Sequence, residues 1–172
     1  RLDAVAALCA DPTTLRTSSV GRLFDGVAAL CGLAQRVTYE GEAAIALEGL
    51  AAECDVMDDG YEWTGSDATA VVRAVVDDLA VGVDRSLVAL KFHRAVADFV
   101  VSTCRELRDH SGINTVALSG GVFQNRLLVE LLLPMLGEQG FTVLRQSEVP
   151  PNDGGVSLGQ VAIGRAHLAR SQ

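Results

Sequence analysis

The chain has 172 residues, of which 49% are hydrophobic and 21% charged, and its formal net charge is −8. At this length folding hides roughly 70% of the unfolded surface, so the composition excludes a disordered chain and expects one domain or lobe with a real core. The acidic balance argues against nucleic acid or an anionic membrane as the main partner, and no run approaches the ~20 apolar residues that span a bilayer.

The opening segment, RLDAVAALCADPTT, carries acidic residues and no signal-peptide pattern. It has no Met, which reads as a fragment or as a chain without its own N-terminus. Residues 3–10 read as a short helix ended near Asp11-Pro12. Thr17, Ser18 and Ser19 offer capping hydroxyls to the next helix, GRLFDGVAALCGL. There Leu23, Phe24, Val27, Leu30 and Cys31 recur at helical spacing, and Gly32 ends the run. Val37 to Tyr39 reads as a short extended piece, Gly41 to Glu53 as a helix, and Asp55 to Gly65 as a polar turn region with a short strand at Tyr61 to Trp63.

Asp67 to Val81 is expected to be a helix that buries Val71, Val72, Val75, Val76 and Leu79. Val88 to Asp109 is another, with an apolar stripe of Leu90, Phe92, Val96, Phe99, Val100, Cys104 and Leu107. Thr115 to Leu118 reads as a buried strand, which Gly120-Gly121 turns into a helix near Asn125. Pro134 is expected to kink or split that helix. Phe141 to Leu144 is the next strand, Pro150 to Gly155 a loop, and Val156 to Leu168 the last helix. The second half thus alternates strand and helix, which favours an α/β layer with parallel pairing. The first hundred residues are helix-heavy, and the strands those helices should cover are expected outside this sequence.

None of Cys9, Cys31, Cys54 and Cys104 forms a C-x-x-C pair. Cys9, Cys31 and Cys104 lie in apolar helical runs and read as small buried hydrophobes of a protein in a reducing cytosol. His93, His110 and His167 show no ligand spacing and read as structural or exposed.

Two stretches hold chemistry that a core does not need. In LSGGVFQNRLL a strand ends in Gly120-Gly121 and feeds a helix, so backbone can approach a ligand and free N–H groups can face it. Spacing alone favours a tight turn, because neither the third glycine of a dinucleotide fingerprint nor the Gly-Lys-Ser/Thr of a phosphate loop is present. Asn125 is either an N-cap or an amide that binds a ribose or base edge. Asn152-Asp153-Gly154-Gly155 repeats the arrangement, with Asp153 either a turn carboxylate or a hard oxygen ligand for a metal. Asp25 sits mid-helix, three residues after Arg22, where an ion pair is the simple account.

TSSVGRLFDGVAALCGL, TYEGEAAIALEGLA, ALSGGVFQNRLLVELLLPML and PPNDGGVSLGQVAIG together resemble, in the same order, the C-terminal part of the hydrogenase maturation carbamoyltransferase family, HypF. Residues 17–53 and 115–168 carry most of the likeness. The resemblance implies an α/β, helix-rich, actin-like ATPase (ribonuclease-H-like) lobe, with 1–172 as the C-terminal lobe of an incomplete two-lobe carbamoyltransferase domain and the upstream domains absent. It implies that Gly120, Gly121 and Asn125 line the adenosine side of a nucleotide, that Asp25 and Gly41 hold its ribose or base, and that Asp153 is a metal ligand, for iron or zinc. The family's other metal ligands, an H-x-x-x-H pair, have no counterpart here.

The implied reaction is cytoplasmic. Carbamoyl phosphate and ATP give a carbamoyl-adenylate, and the carbamoyl group passes to the C-terminal cysteine of the partner HypE, for the cyanide ligands of nickel-iron hydrogenase. Two alternatives stand beside it: a non-catalytic nucleotide-binding or partner-docking lobe, and an O-carbamoyltransferase acting on a small-molecule hydroxyl. The missing histidine pair implies that the chain alone is inactive.

Overall fold

A computed structural model describes residues 2–15, 17–56 and 58–170. In chain order the helices are α1 (Leu2–Ala10), α2 (Val20–Leu30), α3 (Glu42–Ala52), α4 (Thr69–Ala80), α5 (Arg85–Ser111), α6 (Arg126–Glu138) and α7 (Val156–Arg170). Two strands, β1 (Thr115–Leu118) and β2 (Thr142–Arg145), flank α6 and pair in parallel, Thr115 opposite Thr142 and Leu118 opposite Arg145. This is the expected strand–helix–strand unit, because parallel neighbours need a crossover and α6 supplies it.

The core is built around α5. Its N-terminal half buries residues on nearly every side, including Val88, Ala89, Phe92, His93, Ala95, Val96 and Ala97. Small residues on α5 and on α3 (Ala43, Ala51) let those two helices pack closely around Leu47. Phe24 of α2 meets Phe92 edge-on at 4.9 Å between ring centroids. α6 adds Leu128, Leu132 and Leu136, one residue per turn, and covers one face of the strand pair with Val116, Leu118 and Val143 inward.

Several expectations are corrected. Residues 37–39 and 61–63 form no strand, since no extended neighbour lies beside either to complete a ladder. Tyr61 is instead held by its hydroxyl, which donates to Asp78 at 2.8 Å, while Lys91 donates to the same carboxylate at 2.7 Å and covers the Tyr61 ring. Pro134 does not split α6, which runs unbroken to Glu138, with Pro134 and the turn below it at Glu130 on the exposed side. Leu30, Val76 and Leu107 fall on exposed helix faces. Cys9 is exposed rather than buried, as is every described side chain of α1. The last helix, α7, buries nothing either, and Leu158, Val161, Ile163 and Leu168 all face solvent. The strand pair is covered on one face, with Ala117 and Leu144 exposed on the other. No helix is long and apolar enough to cross a membrane among the described residues.

Candidate functional site

A cavity of about 1020 Å³ opens where α2, the 37–41 loop, α3 and the turn before α6 converge. That is the upper end of the size range of small-molecule sites. Asp25, Gly41, Gly121, Asn125 and Asp153, expected from the sequence to share a site, all line it. Gly120, expected beside them, is not among the lining residues. Its backbone adopts φ +106, open to glycine and strained for other residues, and its N–H donates to the Pro151 carbonyl at 2.7 Å. That bond ties the start of the Gly121–Gln124 3₁₀ turn to the loop bearing Asp153. Gly121 has ordinary dihedrals, and a Cβ there would meet no atom of the chain within 4 Å. The chain's own packing therefore does not require glycine at 121.

The mouth of α6 differs from expectation. A helix leaves its first four N–H groups without intrahelical partners. Here Arg126 and Leu127 donate theirs to Glu48 Oε1 at 2.8 and 3.2 Å, Leu128 donates to Asn125 Oδ1 at 2.8 Å, and Val129 donates to the Asn125 carbonyl at 3.2 Å. The free donors foreseen for an anion are already satisfied, two by the Glu48 carboxylate and two by Asn125.

Glu48 and His93 are the residues that sequence reasoning missed. The signal for Glu48 was present: Gly41, Ala44, Ile45 and Glu48 share one helical face, and all four line the cavity. His93 is fully buried beneath the site. Its Nδ1 lies 2.8 Å from the Ala89 carbonyl, which can only accept, so Nδ1 carries the proton. Its Nε2 is then the acceptor for Asn125 Nδ2 at 3.0 Å. Burial lowers the imidazole pKa to about 4, partly opposed by the Ala89 hydrogen bond, so the ring is neutral near pH 7.

The charged side chains behave unequally. Asp25 pairs with Arg22 at 3.1 Å, as its spacing predicted, and still faces the cavity. Asp153 is exposed and does not cap the following turn; Asn152 does, its Oδ1 accepting from Gly154 N–H at 3.1 Å. The glycines after Asp153 are explained by the loop itself, because a Cβ at Gly154 would lie 2.9 Å from Pro150 Cγ and one at Gly155 2.9 Å from the Pro150 carbonyl. Among the described residues no three His, Cys, Asp or Glu side chains gather to hold a metal. One carboxylate binds a cation poorly, so the donors present do not fit a metal on their own.

Among the described residues the lining carries Asp25, Glu40, Glu48 and Asp153 against Arg22. An acidic wall repels anions and suits hydroxyl and amino donors.

The helix-rich α/β unit with its small parallel sheet is placed in the Kae1-like class by a family match. The family model for the second subdomain of the carbamoyltransferase Kae1-like domain matches residues 2–160. The chain belongs to the carbamoyltransferase HypF family, as part of its Kae1-like domain. It is 37% identical over 156 residues to the carbamoyltransferase HypF of Synechocystis, covering 84% of this chain and 19% of that protein. It is 39% identical over 153 residues to HypF of Rhodobacter capsulatus, covering 88% of this chain and 20% of that protein. The crystal structure of full-length HypF in its phosphate- and nucleotide-bound form superposes with a TM-score of 0.78 at 39% identity, over 87% of this chain and 20% of that one. HypF from T. kodakarensis gives 0.76 at 29% identity, over 88% of this chain and 20% of that one. The chain thus spans about a fifth of the length of these relatives.

Proposed function

We propose that this chain is the part of a HypF-type carbamoyltransferase that holds the adenosine end of a carbamoyl-adenylate, in one lobe of an actin-like ATPase fold. The observation that carries the reading is the convergence of Asp25, Gly41, Gly121 and Asn125 on one cavity, in a family one member of which has been solved with nucleotide bound. Carbamoyl phosphate and ATP supply the adenylate, and the C-terminal cysteine of a HypE-like protein accepts the group. The thiolate sulfur bonds to the carbamoyl carbon, the bond from that carbon to the adenylate oxygen breaks, and AMP leaves. This chain's contribution is to hold the adenylate for that attack, which is proximity catalysis.

No side chain of the site is suited to covalent catalysis. Burial pushes the Cys31 and Cys104 thiols up, away from the thiolate form, and neither lines the cavity. Asp153 is the carboxylate, among the described residues, that would reach a metal, iron or zinc, if the full-length protein holds one at this cavity. The free thiols fit a reducing cytoplasm.

The test is product analysis with the full-length protein, carbamoyl phosphate, ATP and acceptor. One carbamoyl group added to the acceptor's C-terminal cysteine is the expected result. Transfer to a small-molecule hydroxyl instead would replace the acceptor, and ATP binding without transfer would reduce the lobe to a nucleotide-binding or docking module.

A further inference from the structure

We infer that His93 is a positioning residue for this site: through Asn125 it fixes a side-chain amide whose remaining N–H serves a hydrogen-bond acceptor on the bound nucleoside. The inference rests on the nucleotide reading above.

The geometry leaves little freedom. Both Asn125 polar atoms are engaged, Oδ1 by the Leu128 N–H at 2.8 Å and Nδ2 by His93 Nε2 at 3.0 Å. Rotating the amide by half a turn would set NH₂ against the Leu128 N–H, donor against donor, so the helix start and the imidazole select the same orientation. The imidazole is itself fixed, because its other nitrogen donates to Ala89 O at 2.8 Å, one turn back on α5, and Phe24 meets the ring edge-on at 5.1 Å between centroids. Phe24 also lines the cavity. One Nδ2 hydrogen is therefore committed to His93, and the other has no partner among the described residues. Asn125 is 9% exposed, and it lines the cavity.

A position needed only for packing, in a core of Phe, Val, Leu and Ala, has no use for an imidazole, since an unpaired polar group there is destabilising. What a histidine adds over Phe or Leu is an acceptor at Nε2, and that acceptor is spent on Asn125. The ligand group served must accept a hydrogen bond: a ribose oxygen or an unprotonated ring nitrogen of the base.

Two substitutions separate positioning from packing. His93→Asn keeps a donor for the Ala89 carbonyl but is too short to reach Asn125. His93→Gln places an amide oxygen near the lost Nε2 and keeps that reach. In calorimetric titrations of the full-length protein with ATP and with AMP, His93→Asn is expected to weaken binding about tenfold, and His93→Gln to stay within about threefold of wild type. In an Asn125→Ala background neither change should weaken binding further, because both act through one amide.

Equal losses in the two variants, or additive losses in the double mutants, overturn the inference. So does wild-type affinity in His93→Asn. If His93→Asn does not fold, a crystal structure of the wild-type full-length protein with AMP decides: Asn125 Nδ2 within hydrogen-bond distance of the nucleoside supports the inference, and a longer separation overturns it. Wild-type protein that binds neither ATP nor AMP overturns the nucleotide reading and this inference together, whereas normal wild-type binding with an indifferent His93→Asn overturns this inference alone.

Discussion

Asn125 carries two structural duties on one amide, capping α6 and pairing a buried imidazole. Asn125→Ala should therefore destabilise the fold by about 2–3 kcal/mol, the sum of a lost cap and a stranded buried acceptor, as read by denaturant midpoint. Any loss of nucleotide affinity in that variant has to be read beside its stability. The capping duty was legible in the sequence, since Asn before an apolar run is a familiar helix start. The His93 duty was not, because nothing local joins residues 32 apart. Asp153 reverses the pattern. Asn152 does the capping, so Asp153→Asn should leave the melting temperature unchanged. If Asp153 donates to a metal in the full-length protein, the same change should lower metal content, because the amide brings no negative charge to the cation. Elemental analysis beside thermal melting separates these, and equal metal content in both proteins would remove Asp153 from the ligand set.

Among the elements, α3 and α6 are joined by a bond that periodicity alone could not reveal. The Glu48 carboxylate receives two N–H groups of α6, where a negative charge also meets the positive end of the helix dipole. Glu48→Ala is expected to cost about 1–3 kcal/mol in chemical denaturation, with Glu48→Gln intermediate, since the neutral amide oxygen still accepts but without the charge. The β1 limits were legible because an apolar run met Gly-Gly, whereas the 37–39 and 61–63 segments were short runs with no partner strand to make them sheet. Helix α7 was legible from its length and composition, yet it buries no residue. In the 172-residue chain its amides should exchange orders of magnitude faster than those in the N-terminal half of α5, as read by hydrogen exchange, because helicity without tertiary burial is marginal at this length. Comparable protection in the two helices would show that α7 is packed after all.

At the scale of the whole molecule, burial of neutral His93 links stability to pH. Its pKa falls from 6.5 to about 4 on folding. Above about pH 6.5 the ring is neutral in both states and stability is complete. Between pH 6.5 and 4 the unfolded chain takes up a proton that the folded chain refuses, so stability falls as the solution is acidified. The denaturant midpoint should therefore drop between pH 7 and pH 5, and His93→Gln should flatten that part of the profile. Asp78, its carboxyl held low by the Lys91 hydrogen bond, adds a loss in the same direction at lower pH.

The gathering of the site was legible only as far as a family resemblance reached. Asp25, Gly41 and Asn125 lie on three separate elements, and no local pattern places them together. Spacing left Asp25 and Asn125 with simpler roles, an ion pair and an N-cap, which the structure also shows. Carbamoyl transfer by the 172-residue chain alone is expected to be undetectable with carbamoyl phosphate, ATP and acceptor, because the cavity is proposed to hold the carbamoyl-adenylate and not to form it; turnover by it would refute that division of labour.

The central claim is that the cavity beside Gly121 receives the nucleoside. A Cβ at Gly121 meets no atom of the chain within 4 Å and the backbone there has no positive φ, so Gly121→Leu adds its bulk at a residue that lines the cavity. Calorimetric titration of the full-length protein with ATP, wild type against Gly121→Leu at matched melting temperature, is the direct measurement. The account predicts saturable binding by wild type and a loss of at least about a hundredfold in the variant. Equal affinity in the two would place the nucleotide elsewhere and contradict it.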